Sequence, residues 1–308
     1  MSTSRILVAS LTALALAACS APEEEQAVSA DTQPQAETEQ PTETTTQASP
    51  GVETLDEALA GGWRSTARVE RDAFRHPVET LTFLEVDPSS TVVEIWPGGG
   101  WYTDILAPWI AGNGGTYIAA HFPADAASEA RVNARQSFAD RYTGDARFGD
   151  VQLAGFDDTS GALAEPGSID TILSFRNVHN WMGGGYAEKA FSDFYAALRP
   201  GGTLGVVEHR LPSTREQDPR ARTGYVQEAY VIALAEEAGF ELVGRSEVNA
   251  NPADTADHPF GVWTLPPVRR SANRGEEVAA DFDREHYDAI GESDRMTLLF
   301  RKPEAAEE

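Results

Sequence analysis

A doubly wound α/β domain, built on a mostly parallel seven-stranded sheet with helices on both faces, is the fold class this sequence predicts. Three observations predict it. Short β-branched or apolar runs alternate with helix-like segments through most of the chain after residue 53. One such run, Val92-Val93-Glu94-Ile95, leads directly into Trp96-Pro97-Gly98-Gly99-Gly100 and then into a helix-like stretch. Roughly 250 residues remain once the two ends are set aside, enough for one large α/β domain.

The elements follow in order. Residues 54–60 and 69–84 read as helical, the second broken by Pro77. Residues 91–96 form a buried strand, flanked by Asp87-Pro88 and Pro97-Gly98. A helix over 102–111, a strand over 115–120 and a helix over 126–141 come next, then strands over 151–156 and 169–175. A helix over 187–198 leads through Arg199-Pro200-Gly201-Gly202 into a strand over 203–208. Residues 225–238 are helical and stop at Gly239, a residue suited to the left-handed helix end. Strands over 240–248 and 296–302 close the sheet, with an irregular insertion at 249–294 between them. A connection that long is usually functional or ordered by something else.

The ends have a different character. Arg5 precedes an apolar run over residues 6–17, too short to span a bilayer comfortably, which ends in Leu16-Ala17-Ala18-Cys19. That ending resembles the lipobox of bacterial lipoproteins. The resemblance implies a signal peptide over 1–18 and an acylated Cys19 as membrane anchor. Ser20 after the cysteine implies the periplasmic face of the outer membrane. Cys19 is the chain's one cysteine, which leaves no disulfide framework and no thiolate metal site. Residues 19–52 are Ala, Glu, Gln, Thr and Pro with little that is large and apolar, and read as a disordered acidic tether. Residues 53–303 carry the folded domain, and 304–308 are an acidic tail. The formal net charge is -25, with no Lys/Arg stripe, so nucleic acid and anionic membrane surfaces are poor partners and a small molecule is the expected ligand.

The glycine turn after residue 96 carries the strongest chemical signal. Glycines there let backbone approach a ligand, and the following helix N-terminus offers unpaired N–H groups. Alone the turn is either a nucleotide-binding loop or a tight bend. Glu94 lies inside the strand, two residues before the turn, and the loop lacks the Lys-Ser/Thr ending of a phosphate-binding P-loop.

Together with Ser168-Ile169-Asp170-Thr171-Ile172-Leu173-Ser174 and Leu198-Arg199-Pro200-Gly201-Gly202-Thr203-Leu204, this segment resembles the class I S-adenosylmethionine (SAM) methyltransferases, whose fold is Rossmann-like. The resemblance runs over residues 80–248, with the final strand near Met296. The chain is also similar to a bacterial subfamily labelled "predicted methyltransferase". That likeness rests on Arg71-Asp72-x-x-Arg75-His76-Pro77, the glycine turn, Asn249-Ala250-Asn251-Pro252, Gly261-Val262-Trp263-Thr264-Leu265-Pro266-Pro267 and Ser293-Asp294-Arg295-Met296. The resemblance implies a SAM site at the strand C-termini, with Glu94, Gly98, Gly100 and Trp101 around the methionyl end. Trp96 stands where the family's first glycine falls. His121 stands where an acid normally holds the ribose: either a neutral imidazole accepts one hydrogen bond in its place, or the cofactor sits differently, or it does not bind. Asp157 or Asp158, past the third strand, faces the adenine by the same analogy or forms a solvated turn.

The candidate catalytic groups follow the fourth and fifth strands, in Arg176-Asn177-Val178-His179-Asn180-Trp181 and Glu208-His209-Arg210. His179 or His209 is suited to general base work and Asn177 to orienting an acceptor; each histidine is equally suited to a structural hydrogen bond. Arg71 and Arg75 are either a lid for an anionic substrate or a scaffold paired with Asp72 and Glu79. The apolar stretch 258–267 either covers the pocket or packs on the sheet edge. His121, His179, His209 and His258 show no metal-site spacing.

Two function classes stand: a SAM-dependent methyltransferase for a small-molecule acceptor, and a non-catalytic ligand-binding or envelope scaffold lipoprotein on the same fold. Export favours the second, because SAM is made in the cytoplasm. A hydrolase lacks its Gly-x-Ser-x-Gly elbow here, and a dinucleotide oxidoreductase lacks the acid ending the second strand.

Overall fold

The computed structural model describes residues 51–304. The expected signal peptide, the Cys19 anchor, the linker up to residue 50 and the tail beyond Glu304 lie outside the described residues.

Four short helices lead in: Leu55–Leu59 (α1), Thr66–Val69 (α2), Asp72–Arg75 (α3) and Pro77–Phe83 (α4). α1 opens with a reciprocal capping box between Thr54 and Glu57. The expected helix over 69–84 is therefore in pieces. His76 adopts φ 38° between α3 and α4, and Pro77, which cannot donate inside a helix, starts the next one instead.

The strands are Thr91–Ile95 (β1), Thr116–His121 (β2), Gln152–Gly155 (β3), Ile169–Phe175 (β4), Leu198–Leu211 (β5), Val226–Gln227 (β6), Glu241–Ser246 (β7) and Arg295–Arg301 (β8). Thr103–Gly112 (α5), Glu129–Tyr142 (α6), Val178–Gly184 (α7), Ala187–Ala197 (α8), Glu228–Ala238 (α9) and Arg284–Ile290 (α10) complete the chain. The sheet order is β3-β2-β1-β4-β5-β8-β7. β1 to β5 pair in parallel, and β8 runs antiparallel to β5 and β7. The two-residue β6, pairing with the end of β5, makes eight strands where seven were expected.

Side-chain alternation along the strands sorts two cores. Val93 and Ile95 of β1, Ile172 of β4 and Val206 of β5 face Trp181, Phe191, Phe194 and Val231 from α7, α8 and α9. Val92, Leu173 and Val207 face Leu81, Ile105, Ile110, Phe138 and Tyr142 from α4, α5 and α6. Period two puts Glu94 on the second of these faces, beside α5. The strand order reverses between β1 and β4, which places a crevice at their C-terminal ends.

The 249–294 insertion is tied down by buried polar contacts. Asn249 Nδ2 donates to Thr80 and Thr297 (both 2.9 Å), and Asp254 accepts from the Tyr225 hydroxyl and sits 2.8 Å from His258 Nε2. No helix among the described residues is long and apolar enough to cross a membrane.

Candidate functional site

Three clefts run side by side along the C-terminal ends of the parallel strands. The middle one, about 270 Å³, is lined by Glu94, Trp96, Gly98, Gly99, Arg75 and Arg176 among others. A second of about 370 Å³ shares Trp96, Gly98 and Asn177 with it and reaches past His121 to Tyr186. A third of about 260 Å³ shares Arg71, Arg75 and Arg176 with the middle cleft and carries His179, His209 and Trp263.

The glycine turn is held from behind. Asp104, with its side chain fully buried, accepts from Arg68 Nη1 (2.5 Å), Arg141 Nη2 (3.0 Å) and the Tyr142 hydroxyl (2.7 Å). Arg68 Nη1 and Tyr142 also donate to the Gly100 carbonyl (2.7 and 2.8 Å), and Arg68 Nη2 donates to the Gly99 carbonyl. Two of the expected ligand glycines thereby take different roles. Gly98 has φ 58°, and a Cβ there would meet nothing within 4 Å, so its backbone faces open cleft. Gly100 has φ 79° and a Cβ would lie 2.2 Å from the Tyr142 oxygen, so that glycine serves packing, not a ligand. Trp101 lines the cleft but is largely buried: its Nε1 donates to the Arg68 carbonyl (2.9 Å), and its ring lies 4.6 Å from the Arg75 guanidinium carbon.

Glu94 Oε2 accepts from Tyr117 (2.5 Å) and Thr103 (3.0 Å). Its Oε1 has no hydrogen bond among the described residues, and the residue lines the cleft. Burial outweighs those two hydrogen bonds and raises its pKa to about 7.

His121, at the end of β2, corrects the expectation of a hydrogen-bond acceptor. Its Nδ1 already accepts from the Phe122 N–H (2.8 Å), so the neutral ring carries its proton on Nε2, which is buried near the Gly98 backbone and makes no well-formed hydrogen bond among the described residues. Burial and then the charge of Arg135 lower its pKa to about 4, so at neutral pH the ring is a donor. Asp157 is spent on its own turn: Oδ1 accepts from both N and Oγ1 of Thr159 and from Ser160 N (each 2.9 Å). It faces no cleft described above, and Asp158 is exposed.

Trp96 takes φ 46°, a left-handed conformation that suits glycine, at a strain of about 1 kcal/mol. Its indole N–H donates to the Phe156 carbonyl (2.7 Å), and its rings pack among Phe122, Phe156, Trp181 and Tyr186. The indole forms a wall between the first two clefts and leaves the space at Gly98 open.

Asn177 clamps strand ends, its Nδ2 donating to the Ile95 carbonyl (2.9 Å). His179 stands on α7 with Nδ1 3.0 Å from Glu208 Oε1, a fully buried carboxylate that also accepts the His179 and His209 backbone N–H groups. His209 Nδ1 lies 2.6 Å from the Ser293 hydroxyl. Burial, then His179 and the nearby arginines, push its pKa well down. His179, Glu208 and His209 bring ligand-type atoms within 4.8 Å of one another, a cluster that linear spacing does not reveal. A cation would have to displace Glu208 from three hydrogen bonds beside Arg75, Arg176 and Arg295, and electrostatics opposes that.

The Arg71–Arg75 pair finds neither Asp72 nor Glu79. Asp72 takes Arg64, and both arginines reach Glu292, at 2.6 and 3.0 Å. The 258–267 stretch lines the third cleft through Val262, Trp263, Pro266 and Pro267. Arg68, Asp104, Tyr142, Glu292 and Arg295 were missed as site residues, and they share no local pattern. Glu208 stood in the candidate run Glu208-His209-Arg210, and its contact with His179 is what the structure adds.

No protein-family model and no curated protein matches the chain. Solved structures match its fold. The [4+2]-cyclase SpnF, 15% identical, aligns over 82% of this chain and 92% of its own with a TM-score of 0.51. A putative sarcosine dimethylglycine methyltransferase from Galdieria sulphuraria, 12% identical, covers the same shares, also at 0.51. A SAM dependent methyltransferase from Aquifex aeolicus, 15% identical, aligns over 64% of this chain and 93% of its own at 0.46. The chain has the Rossmann-like fold of the class I SAM-dependent methyltransferases. Identities this low establish the fold and leave the reaction to the site.

Proposed function

We propose that this chain is a SAM-dependent methyltransferase for a small-molecule acceptor. One observation carries the reading: the open backbone at Gly98 and the partner-free oxygen of Glu94 share a cleft that continues into a second one bearing the His179–Glu208 pair. The donor set fits the cofactor. Glu94 would take its ammonium and the Gly98 backbone would allow close approach. The orphaned His121 Nε2–H would donate to a ribose oxygen, with Asn177 holding the strand ends that frame the site. Bound there, the cofactor supplies an electrophilic methyl group on a sulfonium. With Nδ1 donating to Glu208, His179 keeps Nε2 as the basic nitrogen, able to take a proton from an acceptor hydroxyl, amine or thiol. His209, held at Ser293 and strongly disfavoured as a cation, orients rather than accepts.

A specific observation favours the second reading, a ligand-binding scaffold: the fixed Trp96 indole narrows the adenine side. Isothermal titration with SAM and S-adenosylhomocysteine separates the two. Micromolar binding that Gly98→Arg abolishes, with the far-UV circular dichroism unchanged, is expected. Silence up to millimolar ligand with the protein folded would leave the scaffold.

The domain is proposed to work in the cell envelope, tethered by residues 19–52 to a lipid on Cys19. A labelled fatty acid fed to the cells is expected to be incorporated into the wild-type chain and not into Cys19→Ser; a wild-type chain that takes up no label would refute the anchor.

A further inference from the structure

The junction of the middle and third clefts holds more positive charge than the protein neutralises. Arg71, Arg75 and Arg295 all converge on one carboxylate, Glu292, whose Oε1 takes Arg71 and whose Oε2 takes Arg75 and Arg295. Burial would raise the Glu292 pKa, but Arg75, Arg295, Arg176 and Arg71 hold it down at about 2, so this carboxylate stays ionised and is fully committed.

Arg176 adds a fourth guanidinium and pairs with nothing. It makes no side-chain hydrogen bond or ion pair among the described residues, and its buried Nη1 is unsatisfied. Its backbone sits at φ 63°, a conformation that costs a side-chain-bearing residue energy and that persists where function holds it. Arg75 is only 2% exposed, and its Nη1 is also without a partner. Burial and the charge of Arg176 push the Arg75 pKa well down against the pull of Glu292, which Arg75 shares with Arg71 and Arg295. Buried donors left unpaired cost free energy, and buried guanidinium groups more than most. Both arginines line the middle and third clefts.

The third cleft also has an apolar part, Val262, Trp263, Pro266, Pro267 and Val268, beside the polar side chains of His179, His209 and Ser293. We propose that Arg75 and Arg176 bind the acid group of a small organic anion whose apolar body lies against Trp263, and that this anion is the acceptor. Forked guanidinium donors suit a carboxylate or phosphate better than any neutral group. The chain's acidity, -25 overall, makes a polyanionic macromolecule a poor visitor, whereas a cleft of about 260 Å³ admits a small acid. The acceptor role rests on the methyltransferase reading; the anion binding does not.

The test uses the full-length chain, with benzoate as probe and benzyl alcohol as its neutral counterpart, followed by isothermal titration and thermal shift. Benzoate should bind saturably and benzyl alcohol at least tenfold more weakly. Arg176→Gln should weaken benzoate at least tenfold while leaving the unliganded Tm equal or higher, because it removes an uncompensated charge. S-adenosylhomocysteine should leave benzoate bound. Equal binding of the two probes, no binding of either to folded protein, or unchanged benzoate affinity in Arg176→Gln would overturn the proposal. Displacement of benzoate by S-adenosylhomocysteine would also overturn it, by assigning the clamp to the cofactor's own carboxylate. Benzoate binding that depends on Arg176 in a protein silent to S-adenosylhomocysteine would uphold the anion site and remove the methyltransferase reading.

Discussion

Asp104→Ala is expected to destabilise the domain by about 4 kcal/mol, the scale for removing one member of a buried charged network. The carboxylate is fully buried and neutralises Arg68 and Arg141 while accepting from Tyr142. Its removal leaves Arg68, Arg141 and Tyr142 without their shared acceptor, and two of these, Arg68 and Tyr142, hold the Gly99 and Gly100 carbonyls. The damage therefore reaches the glycine turn as well as the fold. Asp104→Asn keeps the volume and an acceptor for Tyr142 but loses the charge facing Arg68, so its loss should be intermediate. Urea unfolding monitored by circular dichroism reads both. A change below about 1 kcal/mol in Asp104→Ala would show that the clamp contributes little.

The expected strand over 169–175 matches the observed β4, and 91–96 differs from β1 by one residue, because β-branched runs between Pro and Gly leave few alternatives. Helix α7 was not expected. Val178–Gly184 carries two glycines with His and Asn, all modest helix formers, and the segment coils because Trp181 and Met182 are buried against the sheet. Tertiary burial overrides propensity there. The His179–Glu208 pair has a similar origin. Both residues stood in polar runs visible in the sequence, but the contact arises because β4 and β5 are neighbours in register, Phe175 opposite Val207. Glu292 was beyond reach for the same reason: it lies 217 residues from Arg75, and no periodicity links the two. What the chain displays locally is the strand, the turn and the acid of β1. What it conceals is the charge balance of the crevice, which depends on distant segments meeting.

Glu94→Gln should change how stability depends on pH, and the sign follows from the raised pKa. Glu94 titrates near 7 in the folded protein because burial penalises its ionised form, against 4.5 ordinarily. Between those values the folded state holds a proton that the unfolded chain has released. Its stabilising contribution is therefore complete below about pH 4.5 and is lost as pH rises through 7. Over that 2.5-unit difference the loss amounts to about 3 kcal/mol. His121 acts in the opposite sense: its pKa is lowered to about 4, so stability is gained as pH rises from there towards 6.5. The two slopes offset each other in the wild type, and only the comparison with Glu94→Gln isolates the carboxyl group. The glutamine variant, which cannot ionise, should gain on the wild type between about pH 4.5 and pH 7 in urea unfolding and level off above that. In the proposed cofactor site the same linkage would govern binding. An ammonium group against the free oxygen of Glu94 needs the carboxylate, so wild-type affinity for SAM should climb from about pH 5.5 to pH 7, and the variant's should stay flat and weak. Parallel stability curves for the two proteins would mean that Glu94 is ionised throughout and that the cleft is wetter than its burial implies.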